Sequence, residues 1–263
     1  MTALVADSLV LARRNLAHIR QIPEKLLDVT LQPIMFVLLF AFVFGGVIAV
    51  PGGNYREYLI AGILVQTIAF GMIGPGASLA TDLTEGIVDR FRTLPMARSA
   101  FLLGHMLAEF AGMALAITIL SLSGLIVGWR IESDPLHAFA GYGLMLFFAL
   151  AMVWVGLLVG VSVRSADAVM GVGFTVVFPL TFVASTFVPV GGLPAGLRQF
   201  AEWNPISSLA AAARSEFGNP TGLPHDPAWP LLHPAVYGLA WCAAILAVCV
   251  PLTISRFRAR TSD

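Results

Sequence analysis

The amino-acid sequence predicts an all-α integral membrane protein with six transmembrane helices. Apolar residues make up 58% of the 263 residues and charged residues only 11%, whereas a soluble domain carries roughly 25% charged residues. Six runs without Asp, Glu, Lys or Arg exceed the length of about 20 residues that a membrane-spanning helix needs. Because these runs lack the alternation of a barrel strand, helix is the structure that can pair their backbone groups in lipid.

The chain is predicted to be one transmembrane domain over residues 1–263, with spans taken from the six runs. They are, in order, Val29–Tyr55, Tyr58–Thr81, Phe110–Trp129, Pro135–Val163, Ala168–Leu197 and Pro227–Ser255. Residues 1–25 precede the first span and form an amphipathic pattern with apolar and basic sides. Such a pattern is typical of a helix that lies flat at the inner membrane surface, although a solvated helix is the alternative.

The distribution of basic residues predicts that both termini are cytoplasmic. With that orientation the inner segments carry eleven Lys and Arg residues and the outer segments carry four. The reverse orientation would violate the preference of short cytoplasmic loops for positive charge. The net charge of zero gives no support to a nucleic-acid partner.

The loop between the second and third spans, residues 82–98, is charged and also amphipathic. Asp82 and Glu85 have the spacing of a capping box, which predicts that a helix begins near Asp82. Ile87, Val88, Phe91 and Leu94 then share one face, and Pro95 ends or kinks the helix. A solvated loop would explain the arginines but not the apolar stripe. We therefore expect a short cytoplasmic helix that docks on another protein.

The segment between the fifth and sixth spans, residues 190–230, is predicted to form a helical hairpin that is external or re-entrant. It contains NPISSLAAAARSEF, in which Asn204 and Pro205 precede an alanine-rich tract. Asn-Pro favours a turn that opens a helix. Pro189 and Pro194 are assigned to the same hairpin as Asn204 and Pro205.

His105 and Glu109 are the candidate intramembrane polar pair. They are spaced i, i+4 at the inner end of the third span, and ionisable groups inside a membrane can mark a proton relay. The alternative is a pair that anchors the helix end at the interface. The sequence contains no metal-ligating or nucleophile motif, so we expect neither a catalytic site nor a bound metal.

Two stretches of the sequence resemble the type-2 ABC exporter permeases, closest to their daunorubicin- and doxorubicin-resistance branch. The first is ATDLTEGIVDRFRTLPMARSAFLLG, and the second runs from Phe178 to Arg214 with Phe-Val-Pro, a Leu-Pro turn and Asn-Pro. The six predicted spans also follow the order of that family. In the first stretch, the residues that carry the likeness are Asp82, Glu85, Gly86, Asp89, Arg90, Phe91, Arg92, Leu94, Pro95 and Arg98.

The resemblance implies that the loop is a coupling helix on which a separate ATP-binding subunit docks. Two such subunits would hold ATP and Mg, and a second permease, identical or related, would complete the pathway. The sequence agrees that the motor is another chain, because its one lysine, Lys25, is not part of a P-loop. The cofactors therefore belong to the partner and not to this chain.

The resemblance further implies export across a bacterial plasma membrane. The scarcity of charge in the spans predicts a hydrophobic or amphipathic substrate, and the family suggests a drug or a lipid. Two alternatives remain open at this stage. One is an exporter of a lipid-linked polysaccharide, and the other is a proton-driven transporter that uses His105 and Glu109.

Overall fold

Helices dominate the computed structural model, which describes residues 31, 34–45, 47–86 and 98–260, with side chains from residue 101 onward in the last range. The amphipathic helix predicted over residues 1–25 lies outside these ranges. The helices are α1 (Ile34–Phe44), α2 (Tyr55–Phe70), α3 (Ile73–Thr84), α4 (Arg98–Val127), α5 (Pro135–Ser162), α6 (Ala166–Phe182), α7 (Ala195–Trp203), α8 (Pro205–Glu216), α9 (Trp229–Leu232) and α10 (Pro234–Arg260).

Four helical stretches are long and apolar enough to cross a membrane. They are α2 with α3, α4, α5 and α10, while α1 and α6 are apolar but shorter. The described part of the chain is thus helical and apolar, as the composition predicts. Each predicted span overlaps one of these helices, but only four of the overlapping stretches reach spanning length among the described residues.

Two boundaries differ for identifiable physical reasons. Helix α4 begins at Arg98 and not near Phe110, because a helix continues through ionisable residues wherever their side chains find polar contacts. Helix α6 ends at Phe182 although its charge-free run continues to Leu197. Pro179, near the end of α6, lacks the backbone N–H that a continuous helix requires.

The centre of the bundle consists of α2, α3 and α5. In the most apolar window of α2–α3, 72% of the residues are buried, and in that of α5, 67%. The corresponding values are 33% for α4 and 17% for α10. Helices α4 and α10 are therefore less buried within the described part of the chain than α2, α3 and α5.

Helices α3 and α5 approach each other through glycines. A Cβ atom added to Gly156 would overlap the carbonyl oxygen of Met72 and lie 2.9 Å from Cγ of Pro75. A Cβ atom on Gly160 would overlap the carbonyl of Gly76. Gly156 and Gly160, which are spaced i, i+4, therefore pack α5 against α3 within one chain, as small residues do in membrane bundles, where close backbone approach supplies the attraction.

The two ends of the bundle are distinct, and we name them by their contents. At the loop end, where α3 ends and α4 begins, Arg256 Nη1 donates to Ser162 Oγ over 2.6 Å. At the hairpin end, which holds α7 and α8, Trp129 Nε1 donates to Asn219 Oδ1 over 2.7 Å. Asn219 Nδ2 in turn donates to the carbonyl of Arg130 over 2.8 Å. These contacts fasten the α4–α5 connection to the end of α8.

A buried arginine holds the hairpin end together. Arg214 on α8 is fully buried, and its Nε donates to the carbonyl of Tyr58 on α2 over 2.8 Å. Its Nη2 donates to the carbonyls of Ser185 and Thr186 over 2.7 and 3.2 Å. The guanidinium carbon also lies 3.5 Å from the ring centroid of Tyr58, in a cation–π contact.

The partners of Arg214 are backbone carbonyl oxygens of α2 and of the turn that follows α6. Ser185 and Thr186 lie three and four residues after Phe182, the last residue of α6, so their carbonyls are available to a side-chain donor. Burial lowers the pKa of the Arg214 guanidinium from its ordinary value, but that value is so high that the group stays cationic. The Tyr58 hydroxyl donates to the carbonyl of Ser185 over 2.7 Å, so α2, α8 and the residues after α6 form one polar cluster.

Gly156→Ala is expected to destabilise the protein, because the added methyl group overlaps the backbone of α3. We expect the free energy of unfolding to fall by about 1–3 kcal/mol, the usual cost of overpacking a close contact. Gly143→Ala in the same helix is the matched control, since a Cβ atom there meets nothing within 4 Å. Thermal unfolding in detergent measures both variants, and equal midpoints would contradict the close packing.

Arg214→Lys is expected to lower the free energy of unfolding by about 2 kcal/mol. An ammonium group cannot reproduce the planar fork that reaches carbonyls on two segments, and each buried group left without a partner costs about 1–3 kcal/mol. Arg198→Lys is the control, because Arg198 forms a partly exposed i, i+4 pair with Glu202 that is worth about 0–1 kcal/mol. Equal unfolding midpoints for the two variants would refute the role of Arg214.

Candidate functional site

The candidate docking segment, residues 85–98, begins where α3 ends. The prediction that a helix starts near Asp82 is wrong. Asp82 lies within α3, whose last helical residue is Thr84. The N–H of Glu85 caps the helix by donating to the carbonyl of Thr81 over 2.9 Å. Gly86 follows with φ of +66°, a left-handed conformation that commonly ends helices. Asp82 and Glu85 therefore lie at the C-terminus of a helix and not at the N-terminus that their capping-box spacing predicted. The left-handed conformation of Gly86 ends the helix there.

The remainder of the predicted coupling helix is outside the described residues. Residues 87–97 contain its apolar stripe and most of its charges, and the backbone of Arg98 opens α4. The docking helix therefore stays a prediction. The residues concerned are Asp89, Arg90, Phe91, Arg92, Leu94 and Pro95.

Asp82 is joined to the far side of the loop by a buried histidine. His105 Nε2 lies 2.8 Å from Asp82 Oδ2, and the contact links α3 to α4 across the base of the candidate docking segment. The His105 side chain is 4% exposed and that of Asp82 22%. His105 Nδ1 has no hydrogen-bond partner among the described residues. The sequence analysis assigned Asp82 to the predicted coupling helix and His105 to the candidate intramembrane polar pair. It did not predict a contact between the two side chains.

Glu109 also faces α3. A Cβ atom on Gly74 would stand 3.4 Å from Glu109 Oε2, so the carboxylate lies against the backbone of α3. The hydrogen bond resolved for His105 runs to Asp82, and a functional pairing of His105 with Glu109 stays a prediction. His105 and Glu109 are thus both turned toward α3, which is how ionisable groups are usually accommodated in a membrane.

The predicted hairpin residues mark turns and helix starts in the structure. Pro189 precedes a 3₁₀ turn, Pro194 precedes α7, and Pro205 is the first residue of α8. Asn204 is the N-cap of α8, because its Oδ1 accepts from the N–H of Ile206 over 3.0 Å. A proline at the first helical position suits this arrangement, since its missing N–H would have no helical partner.

Asn204 has a second role that sequence reasoning did not find. Its Nδ2 donates to the carbonyl of Leu180 over 2.7 Å and lies 3.4 Å from that of Val183. One side chain therefore starts α8 and satisfies the free carbonyls at the end of α6. Together with Arg214, Asn204 fixes the hairpin end against α6. A signal for Arg214 does exist in the sequence, since it directly follows an alanine tract in an otherwise apolar segment.

The described residues offer little for a bound cofactor. Among them, no group of three or more His, Cys, Asp or Glu side chains could hold a metal ion. Cys242 and Cys249 on α10 are buried and free. The polar contacts described at both ends join helices to one another.

Comparisons with known proteins identify the relatives of this chain. It is 29% identical to the daunorubicin resistance ABC transporter permease protein DrrB1 of Streptomyces coeruleorubidus, over 93% of the chain and 83% of that protein. It is 25% identical to the probable doxorubicin resistance ABC transporter permease protein DrrC of Mycobacterium tuberculosis, over 98% and 90%. It is 24% identical to the putative transport permease ycf38 of Cyanophora paradoxa, over 77% and 71%.

The sequence profile of the ABC-2 type transporter family matches residues 7–217, which include α1 to α8 and the candidate docking segment. The likeness thus covers most of the chain, and it agrees with the resemblance found in the sequence. In this family the permease is the membrane component, and ATP is hydrolysed by a separate subunit. This chain is a multi-pass membrane protein of the ABC-2 type transporter family, homologous to drug-resistance ABC permeases.

Proposed function

We propose that this chain is the permease of an exporter that moves a hydrophobic or amphipathic substrate, a drug or a lipid, out of the cytoplasm or inner leaflet. The observation that carries the proposal is the family match over residues 7–217. The names of two relatives refer to resistance to daunorubicin and doxorubicin, which supports a drug-like substrate. ATP and Mg would be bound by the partner subunit.

The surfaces of α1 and α6 support an apolar substrate. Helix α6 buries a narrow stripe and exposes large apolar side chains, among them Phe174, Phe178 and Phe182. The ring centroids of Phe178 and Phe182 are 4.2 Å apart, and those of Phe182 and Phe187 are 5.3 Å apart. Phe187 continues the series to Phe40 of α1 over 4.4 Å. The rings of this row are uncharged, and Phe178 and Phe182 are the two that are exposed.

The transport pathway would lie between two permeases, identical or related. In this arrangement, the exposed faces of α1 and α6 would meet the second permease or the substrate in place of lipid. Helices α1 and α6 are shorter than the four long stretches. Their large apolar side chains are exposed in a single chain, and contact with a second permease would cover them. With α1 and α6 included, the membrane domain has six spans.

The ATP-binding subunits, two per transporter, would dock on the segment from Glu85 to Arg98 at the loop end. The sequence of this segment combines an apolar stripe with flanking charges, which suits insertion of a short helix into a groove. Because α3 and α4 flank the segment directly, a displacement of the docked subunit would act on both helices. Both termini would then be cytoplasmic, and α7 and α8 would lie on the outer side.

The docking proposal predicts that charge reversal in this segment releases the ATP-binding subunit. The variant Glu85→Arg with Arg90→Glu exchanges the signs of two charges in the segment. Each changed charge would then face a charge of the same sign on the ATP-binding subunit, at a cost of several kcal/mol. We expect the amount of a P-loop protein that co-purifies from the native membrane to fall at least about tenfold, which corresponds to about 1.4 kcal/mol. The measurement is quantitative identification of the proteins bound to the tagged permease.

Arg164→Glu is the matched control, because Arg164 is exposed in the connection between α5 and α6 at the same end of the bundle. Release by the paired reversal with retention in the control would support the proposed docking site. Release by Arg164→Glu alone would move the site to the other connection. If no P-loop protein accompanies the wild-type chain, the exporter proposal fails.

The proposed orientation predicts which residues an impermeant thiol reagent can reach in intact cells. With Cys242 and Cys249 replaced by alanine, Asp226→Cys should react from outside, because residue 226 lies at the hairpin end. Arg164→Cys should react only after the membrane is permeabilised. Both positions are exposed in the structure, so a difference in labelling reports the side of the membrane. The opposite labelling pattern would invert the topology.

A further inference from the structure

We propose that the contact between Asp82 and His105 is a coupling clamp, which passes movement of the docking segment into α4 and α10. The clamp would act separately from the attachment of the ATP-binding subunit. The inference rests on the proposed function, since it assumes that this subunit docks between α3 and α4. His105 is a positioning residue in this scheme and contacts neither nucleotide nor substrate.

The location of the clamp is the first reason for the proposal. The docking segment leaves α3 after Gly86 and enters α4 at Arg98. Asp82 lies one helical turn before the exit, and His105 lies two turns after the entrance. Their contact of 2.8 Å closes the base of the segment, so the two helix ends that flank the docked subunit are joined side chain to side chain.

The chemistry of the contact is the second reason. A buried hydrogen bond involving a carboxylate is short, directional and strong when few other groups compete for it. Apolar contacts between neighbouring helices allow small sliding movements. The Asp82–His105 contact therefore resists relative sliding of α3 and α4 at the position where the motor would pull on them, while the rest of their interface can adjust.

The clamp also continues to the last helix. The ring of His105 lies 4.9 Å from that of Phe101, measured between centroids. Phe101 in turn stacks on Phe257 of α10, with centroids 5.9 Å apart and an interplanar angle of 11°. His105 and Phe257 are nearly completely buried. A displacement of His105 is consequently transmitted through packed rings to α10, which carries no part of the docking segment.

The experiment follows α10 while the partner subunit binds ATP. The chain would carry a nitroxide label at Leu252→Cys, an exposed position on α10, with Cys242 and Cys249 replaced by alanine. In the complex of this labelled chain with the ATP-binding subunit, Asp82 and His105 are first left unchanged. Addition of ATP with vanadate should then change the mobility of the nitroxide label. In His105→Phe, which keeps a ring but loses both nitrogens, this change should shrink by at least about fivefold, the lower range of coupling between sites.

Two companion variants separate coupling from general stability. His105→Gln keeps an N–H donor for Asp82 and should retain much of the response. The exchange of Asp82→His with His105→Asp should restore it, because the pair is present again in reverse. Docking of the ATP-binding subunit and its ATP hydrolysis should stay close to wild type in His105→Phe, while the lost hydrogen bond lowers the thermal midpoint. The exchanged pair should restore the thermal midpoint together with the response.

The outcomes distinguish the clamp from the proposed function. If no ATP-binding subunit accompanies the wild-type chain, the proposed function fails and the clamp fails with it. If the subunit docks and the ATP response of Leu252→Cys is absent in wild type or unchanged in His105→Phe, the clamp alone is refuted. Loss of docking or of thermal stability in parallel with the response, without rescue by the exchanged pair, would assign His105 a structural role only.

Discussion

The burial of one cation constrains the hairpin end of this protein. A guanidinium removed from water is stable only if its N–H groups find acceptors, and a carboxylate would be the usual choice. Arg214 instead uses carbonyls of Tyr58, Ser185 and Thr186, which belong to α2 and to the residues after α6. None of these groups can move independently without leaving a buried charge partly unsatisfied. The end of α6 is therefore defined by the arginine as much as by its own sequence.

Small residues make this arrangement possible. Gly62 lies where the carbonyl of Thr186 and the guanidinium of Arg214 approach α2, so a side chain there would collide with both. Gly156 and Gly160 serve the same purpose between α3 and α5. In a membrane, apolar side chains gain little by leaving lipid, so backbone approach and buried polar contacts carry more of the specificity. The glycines allow the helices to approach closely, and the contacts of Arg214 fix how they are arranged at the hairpin end.

The sequence predicted the helical class and the location of each apolar helix, because charge-free length is a local property. It located α8 correctly as well, since Asn204 and Pro205 act on neighbouring backbone groups. It failed at Asp82, where the capping-box spacing was outweighed by the left-handed Gly86, four residues after Asp82. The contacts of Arg214 and of His105 were out of reach, because their partners are 156 and 23 residues away in sequence.

Helix α10 connects the two ends, and its structure limits how the bundle can move. It has 27 residues and is therefore about 40 Å long. Phe257 packs on Phe101 at the loop end, and Gly238 meets Leu209 of α8 near the hairpin end. Between these contacts, Pro251 removes one backbone hydrogen bond. A shift of α4 at the loop end must therefore bend α10 near Pro251, slide one of its two contacts, or carry α8 along with it.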